Sequence, residues 1–221
     1  MCWNESVSIN TFLFGVFVLI LIYITNHYHS NPDYKLKEFN NPYTYFFMMS
    51  FITMQLYEYL LWKYLNNRII NQIVSILGLL LLSIQPIASL TMLNDITLRN
   101  KLITIYSIPA CIYILYQLSI NHVHTSISKL GHLKWNWTSN TKLQTFIIYM
   151  FYLFFLYISL FINKYYSGII ISLPLFIIMY YFFYKDGSAG SLWCLSINMV
   201  MLYYFIRVIL NYFHFIFLSY N

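Results

Sequence analysis

The chain has 221 residues, of which 60% are hydrophobic and 21% aromatic, while only 8% are charged. A soluble domain carries about 25% charged residues, so this composition excludes a water-soluble fold and points to a single integral membrane domain. The net charge of +6 is scattered without a basic block, which excludes a nucleic-acid footprint and suits anionic lipid headgroups.

Crossing about 30 Å of hydrocarbon takes roughly 17–25 apolar residues. Seven runs meet that length and predict an all-α, seven-transmembrane helix bundle. The first covers 9–25, behind a short head that contains Glu5 but no Lys or Arg. No small-x-small cleavage site follows it, so it is expected to remain as an anchor. A polar link with the turn signals Asn31-Pro32 and Asn41-Pro42 leads to the second run, 43–62. After a tight turn comes the third, 69–90, in which Pro86 removes a backbone hydrogen bond and can kink the helix. The fourth is 102–120. The longest extramembrane piece, 121–142, then carries His122, His124, His132, Trp135 and Trp137. The fifth and sixth runs are 143–162 and 167–184, with Pro174 as a second kink. Gly187-Ser188-Ala189-Gly190 leads into the seventh, 191–210, where Arg207 is expected at the headgroups.

Lys and Arg in short loops set orientation, and here each side of a seven-helix chain holds six of them. The glycosylation-type triplets Asn4-Glu5-Ser6 and Asn136-Trp137-Thr138 fall on one side, favouring an outside or lumenal N-terminus of a multi-pass protein.

Glu58 is the only carboxylate in any apolar run. Gln55, Glu58 and Trp62 are spaced i, i+3, i+7 and share one helix face. An ionisable group at membrane depth is expensive and points into a bundle or a watered cavity, where apolar surroundings favour its neutral form. Helix parity brings the unusual residues to the N-terminal side: Cys2 and Trp3, the end of run two, the start of run three, and Trp193 with Cys194. Asn71, Ser75 and Asn198 are the expected neighbours of Glu58, whereas Gln85 lies near the other end of its helix. The expected site is therefore Glu58, Gln55, Asn71 and Asn198, with Trp62 and Trp193 at its mouth.

Polar or small residues also recur at helical spacing: Asn71, Ser75, Gly78, Gln85 and Ser89 in run three; Thr104, Ser107 and Cys111 in run four; Ser191, Cys194 and Asn198 in run seven. Such stripes are the usual material of helix contacts in lipid, and a lined cavity reaching Glu58 is the lesser alternative. Two functions stay open on this evidence. One is a pocket that binds or passes a small polar solute, ion or proton. The other is a structural or partner-binding protein whose polar stripes only join helices.

Three cysteines give no disulfide framework, although parity leaves Cys2 and Cys194 as a possible pair. His122, His124 and His132 supply three imidazoles but match no metal-site spacing and have no carboxylate in their loop. The alternative places that loop at the membrane surface, with Trp135 and Trp137 at the interface. No catalytic nucleophile–base pair, cofactor motif or oligomeric state is read from the sequence.

Met1-Cys2-Trp3 with Ser6 and Ser8, Met54-Gln55-x-x-Glu58, Gln85-Pro86, and Gly190-Ser191-Leu192-Trp193-Cys194 occur in order along the whole chain. Together they resemble an uncharacterised family of small polytopic membrane proteins from microbes and large DNA viruses. The resemblance implies a seven-helix membrane fold and no particular activity.

Overall fold

A computed structural model of the chain describes residues 4–28, 35–120, 123–138 and 142–219. Seven α-helices dominate it: α1 (Glu5–Tyr28), α2 (Pro42–Lys63), α3 (Arg68–Leu90), α4 (Ile96–Ser119), α5 (Lys142–Ile162), α6 (Tyr166–Phe183) and α7 (Ala189–Ser219). Local chemistry starts three of them. The side chains of Asn41, Asn67 and Asp95 accept hydrogen bonds from the backbone N–H groups of Tyr43, Ile70 and Leu98, satisfying donors that a helix N-terminus leaves over. Pro42 sits at the first helical position of α2, where its missing N–H is harmless.

Six helices are long and apolar enough to cross a membrane; the exception is α2. At about 1.5 Å per residue its 22 residues have the length, but Gln55, Glu58 and several hydroxyl-bearing side chains make it too polar by composition. Packing resolves this. α2 contacts α1, α3 and α7 and buries Phe47, Phe51, Ile52, Met54, Gln55, Glu58 and Leu61. Gln55, Glu58, Ser50 and Thr44 therefore face protein. Next to it, Gly15 of α1 comes so close to Ile52 that an added Cβ would lie 2.8 Å from that side chain.

α3 buries the whole of its predicted polar and small stripe, Asn71, Ser75, Gly78, Gln85 and Ser89. Gln85 donates to the Ser50 carbonyl of α2 and accepts from the Tyr152 hydroxyl of α5. Ser89 bonds the Leu156 carbonyl and the Ser159 hydroxyl, also of α5. The stripe expected on α4 behaves differently. Thr104 and Cys111 are exposed, because α4 packs chiefly on α3 and turns Tyr106, Ala110, Tyr113 and Gln117 inward. Helix four also begins six residues earlier than its apolar run, since Asp95 caps it.

The 121–142 segment contains an antiparallel hairpin, β1 (Thr125–Ile127) with β2 (Leu133–Trp135), in register Thr125↔Trp135 and Ile127↔Leu133. It folds back onto the helix ends, and Leu133, Trp135 and Trp137 are 0%, 4% and 2% exposed. On the opposite face the loops are held by side-chain amides. Asn41 and Asn163 both donate to the Met92 carbonyl, at 2.9 and 3.1 Å. There Arg207 meets Glu38 at 2.6 Å and lies over the Tyr203 ring.

Candidate functional site

The N-terminal ends of α3 and α7 and the C-terminal end of α2 meet beneath the hairpin. Asn71 fastens the hairpin by a two-way backbone pairing: its amide donates to the Thr125 carbonyl, and its carbonyl oxygen accepts from the Thr125 N–H, both at 3.0 Å. Ser75 adds a 2.9 Å bond to the Thr125 hydroxyl. Both residues were expected beside Glu58; their polar groups serve β1 instead.

On the far side, Asp186 accepts the Leu130 N–H at 3.3 Å and the Ser188 hydroxyl at 2.7 Å. Burial pushes its carboxyl up, but hydrogen bonds from Ser128, Ser188 and Leu130, with His132 nearby, together hold it below its ordinary value. Burial lowers His132, while Asp186 opposes that shift. The α6–α7 turn accepts the hairpin at two glycines. Gly187, at φ +79°, adopts a left-handed conformation that favours glycine, and Gly190 leaves room for Trp135, whose ring would lie 2.9 Å from an added Cβ.

Glu58 is fully buried, within electrostatic reach of Cys194. One turn away, Gln55 ties three helices: Thr11 of α1 donates to its carbonyl oxygen at 2.9 Å, and its amide donates to the Cys194 carbonyl of α7 at 3.0 Å. Met54, Gln55 and Cys194, drawn from two separate stretches of the chain, are thus neighbours. Asn198 is half-buried, and its amide nitrogen has no hydrogen-bond partner among the described residues. Trp62 is half-buried and packs near Leu61, Val74 and Leu133. Trp193 lies in the core rather than at a mouth, edge-on to Phe51, Tyr152 and Phe176 at 6.0, 6.0 and 5.2 Å.

Trp193 is the one expected site residue that lines the larger cavity. This cavity measures about 310 Å³ and is partly open. α3 supplies Leu79, Leu82 and Ser83; α4 supplies Tyr106, Pro109, Ala110 and Tyr113; α5 supplies Ile147, Ile148, Tyr149, Phe151 and Tyr152. Trp135 and Trp137 complete the lining at the hairpin, stacked on each other at 5.5 Å and 6°. No Asp, Glu, Lys, Arg or His lines it. A smaller cleft at Trp193, Phe51 and Leu156 leaves about 20 Å³, room for little more than a water.

The aromatic lining had one legible trace in the sequence. Leu133, Trp135 and Trp137 alternate with polar residues, the period-2 signature of a strand with one buried face. Tyr106, Ala110, Tyr113 and Gln117 likewise recur at i, i+4, i+7 and i+11, one helix face.

Cys2 and Trp3, and therefore the Cys2–Cys194 pair, lie outside the described residues, as does His122. His124 is exposed, and the His132 ring packs against Phe183 with centroids 5.6 Å apart. Among the described residues no three His, Cys, Asp or Glu side chains gather to hold a metal ion. No family model matches the chain, and no curated protein or solved structure matches it.

Proposed function

We propose that this is a seven-span membrane protein that binds a small molecule in the cavity beneath its hairpin. The observation that carries the reading is the 310 Å³ aromatic cavity itself. An apolar cavity of about 150 Å³ holds a benzene, so this one has room for a group roughly twice that size. Seven spans rather than six are supported by α2, whose polar face is covered by α1, α3 and α7. The lipid bilayer is the partner this reading requires. Membership of the family that the four sequence motifs resemble belongs to the same proposal.

The test uses the three indoles at the cavity wall as reporters. In detergent-solubilised protein, 4-bromophenol is expected to quench tryptophan emission saturably. Ser83→Phe, which fills the cavity from α3, abolishes the saturable part. Equal, linear quenching of both proteins overturns the reading.

A second reading rests on the complete burial of Glu58, a carboxyl at a depth where an ionisable group is by default functional. Here Glu58 holds a proton or ion, with Gln55 and Asn198 nearby. In proteoliposomes under an imposed pH gradient, wild-type protein then dissipates the gradient faster than Glu58→Gln. Equal rates sink this reading and leave Glu58 a structural group, in line with the helix-joining role of Gln55.

A further inference from the structure

The cavity wall is uneven in a way that bears on what reaches it. α4 has substantial packing only with α3, so the α4–α5 side of the cavity is closed by individual side chains. Below, Tyr106 stacks on Phe151 at 5.7 Å and touches Phe155 at 5.3 Å. Above, the Tyr113 hydroxyl donates to the Trp137 carbonyl at 2.9 Å. Between these two bars, seven residues or about 10 Å of helix apart, α4 presents only Pro109 and Ala110 to the cavity. Both are small side chains. Pro109 also lacks the N–H that would bond the preceding turn, which weakens α4 at this level. The outward faces beside the gap, Ile105, Ile108 and Ile112 on α4 and Ile147 and Phe154 on α5, are about half exposed or more and apolar. They suit hydrocarbon.

The chemistry of the wall narrows the occupant. With no charged side chain in the lining, a charged ligand would lose its hydration with no counter-charge to replace it.

We propose that the cavity takes the uncharged head of a single-chain membrane lipid, which enters sideways between Tyr106 and Tyr113 with its chain trailing into the bilayer. This rests on the ligand-cavity reading and names the class of ligand. A prenyl quinone and a monoacylglycerol share the required chemistry, an apolar chain ending in a small neutral head.

The experiment follows tryptophan quenching in phosphatidylcholine proteoliposomes, with decyl-benzoquinone and a brominated monoacylglycerol as membrane probes and 4-bromophenol as the water-soluble probe. Saturable quenching by at least one lipid is expected, and the arm that saturates identifies the head group. Ala110→Phe, which plugs the gap, is expected to weaken that lipid at least tenfold, while Ile108→Phe on the outer face leaves it unchanged. Saturation by 4-bromophenol without either lipid, or lipid binding indifferent to Ala110→Phe, overturns the lateral-lipid proposal while the cavity reading stands. Saturation by no probe removes both.

Discussion

Gln55 shows how a polar residue at membrane depth becomes structural. Its amide has one donor and one acceptor direction engaged across helices, to the Cys194 carbonyl and from the Thr11 hydroxyl. Interhelical hydrogen bonds in membranes average about 0.6 kcal/mol and reach about 1.7. Gln55→Leu is therefore expected to lower stability by about 1–2 kcal/mol, read as a reduced unfolding midpoint in mixed micelles. Thr11→Val should cost clearly less, because the Thr11 hydroxyl also bonds its own helix backbone at Val7 and Ser8. Equal losses from the two substitutions would show that the tie to α7 contributes nothing. Residue identity and spacing in the sequence place Gln55 on the inner face of α2. They do not reveal that its partners come from α1 and α7, because those partners lie 44 and 139 positions away.

At the scale of elements, the hairpin is held from two sides, by Asn71 of α3 and by Asp186 before α7. The Asp186 attachment is acid-labile. A carboxyl held below its ordinary value of 3.8 contributes stability that is fully present above that pH and is lost as pH falls through its lower folded value. Neutral His132, lowered by burial from 6.5, acts with the same sign and begins to lose its contribution as pH falls below that value. Hydrogen exchange at 125–135 is thus expected to quicken below about pH 6 and again below about pH 4. Asp186→Asn should remove the second step while leaving the helices protected. Exchange that stays flat from pH 7 to 3 would contradict this account. The hairpin was hidden in a sequence dominated by helical runs, since three-residue strands stand only with long-range support. Their stability comes from Thr125 meeting Asn71 and from Trp135 meeting Gly190, contacts that local propensity does not carry.

Across the whole molecule, α2 sits where the other helices cover it, and membrane insertion is expected to depend on them. Fused alone into a reporter protein, the segment Pro42–Lys63 should insert less efficiently than Arg68–Leu90, and its insertion should rise when the flanking α1 and α3 are restored. An isolated α2 that inserts as readily as α3 would remove the packing explanation. The same asymmetry places α4 at the margin, packed mainly on α3 and 11% buried along its apolar window. That marginal position creates the cavity between α4 and α5.

Hydropathy, summed over local windows, determined by itself that the chain is helical and suited to a membrane. The spacing of Gln55, Glu58 and the α3 stripe determined which faces turn inward, because burial of polar groups in lipid leaves them few other directions. Only the tertiary structure decided that Asn71 and Ser75 serve the hairpin, that Trp135 and Trp137 fold inward, and that the described cavity is lined by tyrosines and Trp193 rather than by Glu58. Those outcomes depend on which distant segment meets each inward face, and on packing gaps left where two helices fail to touch. Periodicity along one helix encodes a direction; the partner found in that direction is a property of the assembled bundle.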